Sequence, residues 1–297
     1  MSAILTDDGV RLNYRIDDLR EPWVGEPAET VLMHHGFAKN LEWWTPCVGP
    51  IARKYRVLRY DARGCGKSSI PPADAEWSLA RLAKDVTVVM DALGIKRIHF
   101  VSFESGGVVG LYFAANYPDR VASFAMFNTP NPSWMSAGRM NRYFSCGYAT
   151  EVDAIKALGF DNWIDQTLSI HVDSTADPAM IDWIKRTVAG TPEVVAKAWF
   201  EVMEKTDLSE LPPRVRVPTL MVAGADHRFG CEPPLLDEMR SELALAREVV
   251  YIPGVASQVQ LMAPDACSAA LLGFLDNVSG FCGPPARAAQ SAMGQKD

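Results

Sequence analysis

The chain has 297 residues, 48% of them hydrophobic and 22% charged, with 29 Lys and Arg against 36 Asp and Glu. That balance excludes a disordered or fibrous chain and leaves room for a large core. A net charge of −7 argues against nucleic acid or an anionic membrane as the main partner, because both call for a clustered basic surface.

The N-terminal segment MSAILTDDGV lacks a basic stretch followed by an apolar one, and no apolar run reaches the length of a membrane helix, so a cytoplasmic location is expected. Cys47, Cys65, Cys146, Cys231, Cys267 and Cys282 are scattered without a C-x-x-C pair. They read as plain thiols, and no metal site is expected.

Ile4–Leu5 and Val10–Arg15 flank the turn Asp7-Asp8-Gly9, which predicts an N-terminal β-hairpin. Short apolar runs then recur at Thr30–Met33, Tyr55–Tyr60, Ile98–Ser102, Val121–Phe127, Pro218–Ala223 and Glu248–Ile252. Between them lie segments of helical period, Trp43–Lys54, Leu79–Leu93, Gly107–Tyr117, Pro234–Leu245 and Pro264–Val278. The alternation predicts an α/β domain with a doubly wound, mostly parallel sheet.

The rhythm breaks from about 131 to 210, where Trp, Met and Phe stand at helical spacing with no strand. We read 1–130 and 211–278 as the core domain and 131–210 as a helical cap; 279–297, rich in Gly, Pro and small residues, reads as a flexible tail. Oligomeric state is not written in this pattern.

Three loops follow strand ends: Met33-His34-His35-Gly36-Phe37, Asp61-Ala62-Arg63-Gly64-Cys65-Gly66-Lys67-Ser68-Ser69, and Val101-Ser102-Phe103-Glu104-Ser105-Gly106-Gly107. Ligands of open α/β sheets bind at the carboxyl ends of strands, so these loops are expected to share one crevice. With Gly224-Ala225-Asp226-His227 after a late strand and Ile252-Pro253-Gly254 near the end, their order resembles the α/β-hydrolase fold family. The middle portion is most similar to enol-lactonases and carbon–carbon-bond hydrolases.

The resemblance implies an elbow Gly-x-Ser-x-Gly with a nucleophilic serine, followed by an acid and a histidine. Here the register that keeps Gly106 and Gly107 puts Glu104 at the nucleophile position. Slipped by one residue, the elbow would present Ser105, with Phe103 where a small residue belongs. Ser257 occupies the histidine slot and His227 the acid slot, with Asp226 one residue early. The ordinary serine–histidine arrangement is therefore not available in its usual places.

A carboxylate at an elbow is costly unless paired or hydrogen bonded, which favours use over drift. Glu104 is expected to be a general base, with a nucleophilic role as the alternative, and His227 to meet it directly, through Ser257 or through a water. The backbone N–H groups of Phe37 and Ser105 match the family's oxyanion donors. His34, His35, Trp43, Trp134 and Trp183 are candidate substrate contacts; His34 and His35 are also read as shaping their loop through structural hydrogen bonds, with His34 the one to face the pocket, and Trp43 equally as plain packing, while Asp61 and Arg63 resemble a structural pair. His171 and Asp173 lie in the cap, where solvated surface is the plain expectation.

These readings point to a hydrolase-like enzyme of small-molecule metabolism that needs no cofactor and acts on an apolar ester, lactone or β-diketone. A proton-transfer enzyme (decarboxylase, dehydratase or cyclase) and a non-catalytic binding protein are the alternatives.

Overall fold

The computed structural model describes residues 2–23, 28–136, 138–173 and 175–279, save the side chains of Asn141, His171 and Ser279. Strands β1 (Ser2–Leu5) and β2 (Arg11–Asp17) form the expected hairpin, with Gly9 at φ +80° in its turn. Then follow β3 (Thr30–His34), α1 (Thr45–Ala52), β4 (Arg56–Tyr60), α2 (Leu79–Ala92), β5 (Ile98–Phe103), α3 (Gly106–Asn116) and β6 (Val121–Phe127). Six helices follow without a described strand: α4 (Pro132–Ser136), α5 (Asn141–Phe144), α6 (Glu151–Leu158), α7 (Phe160–His171), α8 (Pro178–Ala189) and α9 (Glu193–Lys205). The chain returns to the sheet through β7 (Thr219–Gly224), α10 (Pro233–Glu242), β8 (Val250–Ile252), α11 (Val259–Met262) and α12 (Pro264–Ser279). The tail expected from 279 onward lies, beyond Ser279, outside the described residues.

The eight strands form one sheet in the order β1-β2-β4-β3-β5-β6-β7-β8, antiparallel across the first two pairings and parallel thereafter. This is the doubly wound arrangement that the alternation of runs predicts. Successive side chains of the buried strands go to opposite faces: Leu32, Leu58 and Phe100 join one core cluster, Met33, Val57 and Val101 the other. No helix of the described residues is long and apolar enough to cross a membrane.

Helix starts follow local chemistry. Ser78 caps α2 by accepting the Arg81 N–H at 3.0 Å, and Thr150 caps α6 through the Asp153 N–H at 3.1 Å. Leu79, Leu82, Val86, Val89 and Met90 turn one face of α2 into the core. The elbow between β5 and α3 demands small residues, because a Cβ on Gly106 would lie 2.3 Å from the His35 carbonyl oxygen and one on Gly107 2.0 Å from Thr129 Oγ1.

Arg63 ties the second loop to the hairpin and to α2. Its guanidinium is fully buried, donates at 2.7 and 2.8 Å to both oxygens of Asp85, and reaches Asp8 at 2.9 Å. Asp61 has partners of its own, accepting the N–H groups of Leu41 (2.7 Å) and Lys67 (2.8 Å) and the Asn13 amide (2.8 Å). Asp61 and Arg63 therefore brace the loop separately rather than as a pair.

Arg81 also donates to Asp85, at 2.7 Å, and to Asp7, at 2.8 Å, so Asp85→Ala takes the shared buried carboxylate from two guanidinium groups and leaves them only the more exposed Asp8 and Asp7. We expect unfolding stability in urea to fall by ~3–5 kcal/mol, the cost of breaking a buried pair by removing one partner. A loss under about 1 kcal/mol, the level of a surface ion pair, would contradict this account.

Candidate active site

Backbone conformation decides which residue stands at the elbow tip. Glu104 sits at φ +47° between β5 and α3, whereas Ser105 has φ −61°. Three of the four described non-glycine residues with positive φ, Ala38, Glu104 and Asn128, follow the carboxyl ends of β3, β5 and β6. Each such conformation costs about 1 kcal/mol or more and persists only where surrounding contacts enforce it.

The Glu104 side chain is 16% exposed and lines a mostly apolar cavity. Trp134, Phe144, Trp199, Phe200 and Phe229 supply aromatic walls and Met135, Met140 and Met203 flexible ones. The polar lining comes from Glu104, Ser105, Asn128 and His227.

The carboxylate is held by groups that sequence reasoning missed. Lys39 Nζ donates to Glu104 Oε2 at 2.5 Å and to the Phe37 carbonyl oxygen at 3.3 Å. Its side chain is only 1% exposed and packs against the rings of Trp43 and Phe103, at 5.2 and 5.4 Å from their centroids. On the other oxygen, Gln258 Nε2 donates to Oε1 at 3.3 Å. The Trp43 indole N–H donates to Gln258 Oε1 at 2.8 Å, which turns the amide so that its nitrogen faces the carboxylate.

Glu104 therefore pairs with an ammonium and an amide, and neither His227 nor Ser257 is among its hydrogen-bond partners. Ser257 turns away: its hydroxyl donates to the Ile170 carbonyl oxygen at 2.9 Å, and it lines a neighbouring groove with the exposed Asp226. Gln258, one residue later, reaches the elbow in its place. Asp173, expected as solvated surface, is buried and accepts the N–H groups of Ser257 (2.9 Å) and Ala256 (3.2 Å). It fastens the end of α7 to the loop that carries Gln258. The neighbouring His171 side chain lies outside the described residues.

His227 does line the cavity. Burial, aided by Arg228, lowers its pKa to about 4, so the ring is neutral near pH 7. Its Nδ1 accepts the Phe229 N–H at 3.2 Å, which leaves the proton on Nε2. Asn128 braces the same corner: its Oδ1 accepts the Gly224 N–H at 2.9 Å while its Nδ2 donates to the carbonyl oxygens of Ala256 (2.9 Å) and Ser257 (2.5 Å).

The oxyanion donors differ from expectation. Phe37 N–H donates to Ser105 Oγ at 2.8 Å, so a hydroxyl of the chain itself occupies that donor. Accepting this bond turns the hydroxyl proton of Ser105 outward from the Phe37 N–H.

Among the other candidates, Trp134 lines the cavity. His34 and His35 are buried structural groups instead. His34 Nδ1 meets the His35 carbonyl oxygen at 2.6 Å, and His35 accepts the Ala62 N–H on Nε2 at 2.9 Å while Nδ1 meets the Gly36 carbonyl oxygen at 2.7 Å. Trp43 is buried behind the carboxylate, and Trp183 packs on it with ring centroids 4.6 Å apart; neither is among the cavity-lining residues.

Two outcomes follow from these contacts. Lys39→Met leaves a largely buried carboxylate unpaired, and we expect a stability loss somewhat below the ~3–5 kcal/mol of a fully buried pair, part of it recovered when Glu104→Gln is added; urea unfolding of both variants checks the recovery. Burial also lowers His34 to about 3 and His35 to about 4, from the usual 6.5. The unfolded chain then takes up these protons first, so stability falls as pH drops from about 6.5 toward 4. His35→Gln is expected to flatten that slope, and an unchanged slope would assign it to other groups.

The model of the alpha/beta hydrolase fold matches residues 29–229. A relative named "Putative carbamate hydrolase RutD" from Caulobacter sp. (strain K31) is 27% identical over 277 residues, spanning 88% of this chain and 96% of its own length. The 3-oxoadipate enol-lactonase 1 of Acinetobacter baylyi is 23% identical over 203 residues, 67% of this chain and 72% of its own. Among solved structures, a hydrolase from Pseudomonas aeruginosa PA01 superposes with a TM-score of 0.73 at 27% identity, covering 92% of this chain and 97% of that one. The chain thus belongs to the α/β hydrolase fold family and is a hydrolase-like enzyme.

Proposed function

We propose that the enzyme hydrolyses a small, apolar ester, lactone or β-diketone without a cofactor, and that Glu104 acts as general base where relatives of ordinary design carry a nucleophilic serine. The observation that supports this most is the carboxylate itself, held on the strained elbow and lining an apolar cavity, with a buried ammonium 2.5 Å away. We also take α4–α9, residues 131–210, to be a cap over this cavity and 1–130 with 211–278 to be the core. Cavity-lining residues from α4, α5 and α9 support that division.

In this mechanism Glu104 takes a proton from water as the oxygen attacks the carbonyl carbon. The resulting oxyanion accepts from the Ser105 N–H and hydroxyl, and His227 Nε2–H is a further donor on the same cavity wall. Collapse breaks the bond to the leaving oxygen or carbon, which takes the proton from Glu104. Lys39 and Gln258 each hold one carboxylate oxygen, which fixes the base in place while a further lone pair takes the proton.

A panel of p-nitrophenyl esters, γ-lactones and β-diketones tests the reading. Glu104→Gln should lose ~10²–10⁴-fold in turnover while still binding, the usual range for a general base. Equal turnover by variant and wild type would end the proposal. In ¹⁸O water under single turnover the label should enter the product and not the Glu104 carboxylate; label in Glu104 would make it a nucleophile.

One observation favours a second reading. With Ser105 Oγ on the Phe37 N–H, the site suits chemistry that builds no tetrahedral oxyanion, such as proton abstraction beside a carbonyl in a decarboxylation, dehydration or cyclisation. Deuterium exchange at the α-carbon without ¹⁸O incorporation would identify it.

A further inference from the structure

We propose that this cavity selects uncharged carbonyl compounds against carboxylates of the same shape, and that Glu104 makes the selection. The proposal rests on reading the cavity as the substrate site. Its basis is the direction of the ion pair. Glu104 lines the cavity, whereas Lys39, 1% exposed, stands behind it with donors committed to Glu104 Oε2 and the Phe37 carbonyl oxygen. The pair therefore turns its negative end to the ligand.

Among the described residues, nothing else in the lining supplies a counter-charge: neither Lys nor Arg is among those that line the cavity, and Arg228 is exposed on the neighbouring groove. The amide of Asn128 is used by backbone groups of Gly224, Ala256 and Ser257, and His227 is a neutral donor. A ligand carboxylate would thus face Glu104 across apolar surroundings, where like charges repel more strongly than in water. An uncharged carbonyl oxygen meets no such opposition and can accept from the Ser105 hydroxyl.

Acetophenone and benzoate form a matched pair, one a ketone and the other an anion, and neither is hydrolysed. Binding to the full chain is followed at pH 7.5 by NMR of ¹³C-methyl methionine, because Met135, Met140 and Met203 line the cavity. The wild type should bind acetophenone at least about tenfold more tightly than benzoate. Glu104→Gln should bring the two within about threefold by improving benzoate, leaving acetophenone nearly unchanged.

Benzoate binding as tightly as acetophenone to the wild type overturns the proposal. So does a ratio unchanged in Glu104→Gln, or the failure of both compounds to move these methionine signals. The wild-type ratio needs no variant, so it decides even if Glu104→Gln folds poorly. Wild-type turnover by Glu104→Gln would remove the general-base reading and leave charge selection to these affinities; lost turnover in the variant together with equal affinities of the wild type for the two compounds would do the reverse.

Discussion

The ion pair between Lys39 and Glu104 is the interaction on which the rest of the site depends. A carboxylate at the tip of the elbow, among Trp, Phe and Met side chains, would be expensive to bury alone, and a lone buried ammonium equally so. Together, at 2.5 Å, each offsets part of the other's penalty, and the rings of Trp43 and Phe103 shelter the ammonium. Trp43 takes part twice, since its indole N–H also sets the Gln258 amide against the second carboxylate oxygen.

The sheet makes this pairing possible by bringing loops distant in sequence to one edge. Lys39 follows β3, Glu104 follows β5 and Gln258 follows β8, and parallel strands deliver all three at their carboxyl ends. Ala38, Glu104 and Asn128 all take positive φ in the loops after β3, β5 and β6, and Glu104 and Asn128 line the cavity. Asn128 and Asp173 then hold the Ala256–Ser257 backbone from opposite sides, one from the end of β6 and the other from the helical insertion. The Gln258 segment is thereby fixed by both the sheet and the helices above it.

Glu104 holds its carboxylate on a left-handed backbone at the elbow, and Ser257, expected from the sequence in the histidine slot, donates its hydroxyl to the Ile170 carbonyl oxygen instead. The Ser105 hydroxyl fills one donor of the oxyanion hole. His227 keeps a place on the cavity wall as a neutral ring, without joining the carboxylate.

The sequence by itself determined the strand and helix order and the helical insertion, because these follow from local periodicity; at the elbow it left Glu104 and Ser105 as alternatives, between which the backbone angles decided. Its markers for the partners of Glu104 were misleading for a physical reason. Lys39 and Gln258 are types that usually face water, and nothing in the residues around them announces burial. His34, His35 and Trp43 look like pocket residues in a linear reading but satisfy neighbouring backbone or side-chain groups instead. Only the tertiary structure decided which polar groups meet, since a hydrogen bond between residues 39 and 104 or 104 and 258 depends on where parallel strands end in space, and a pattern read along the chain carries no such distance.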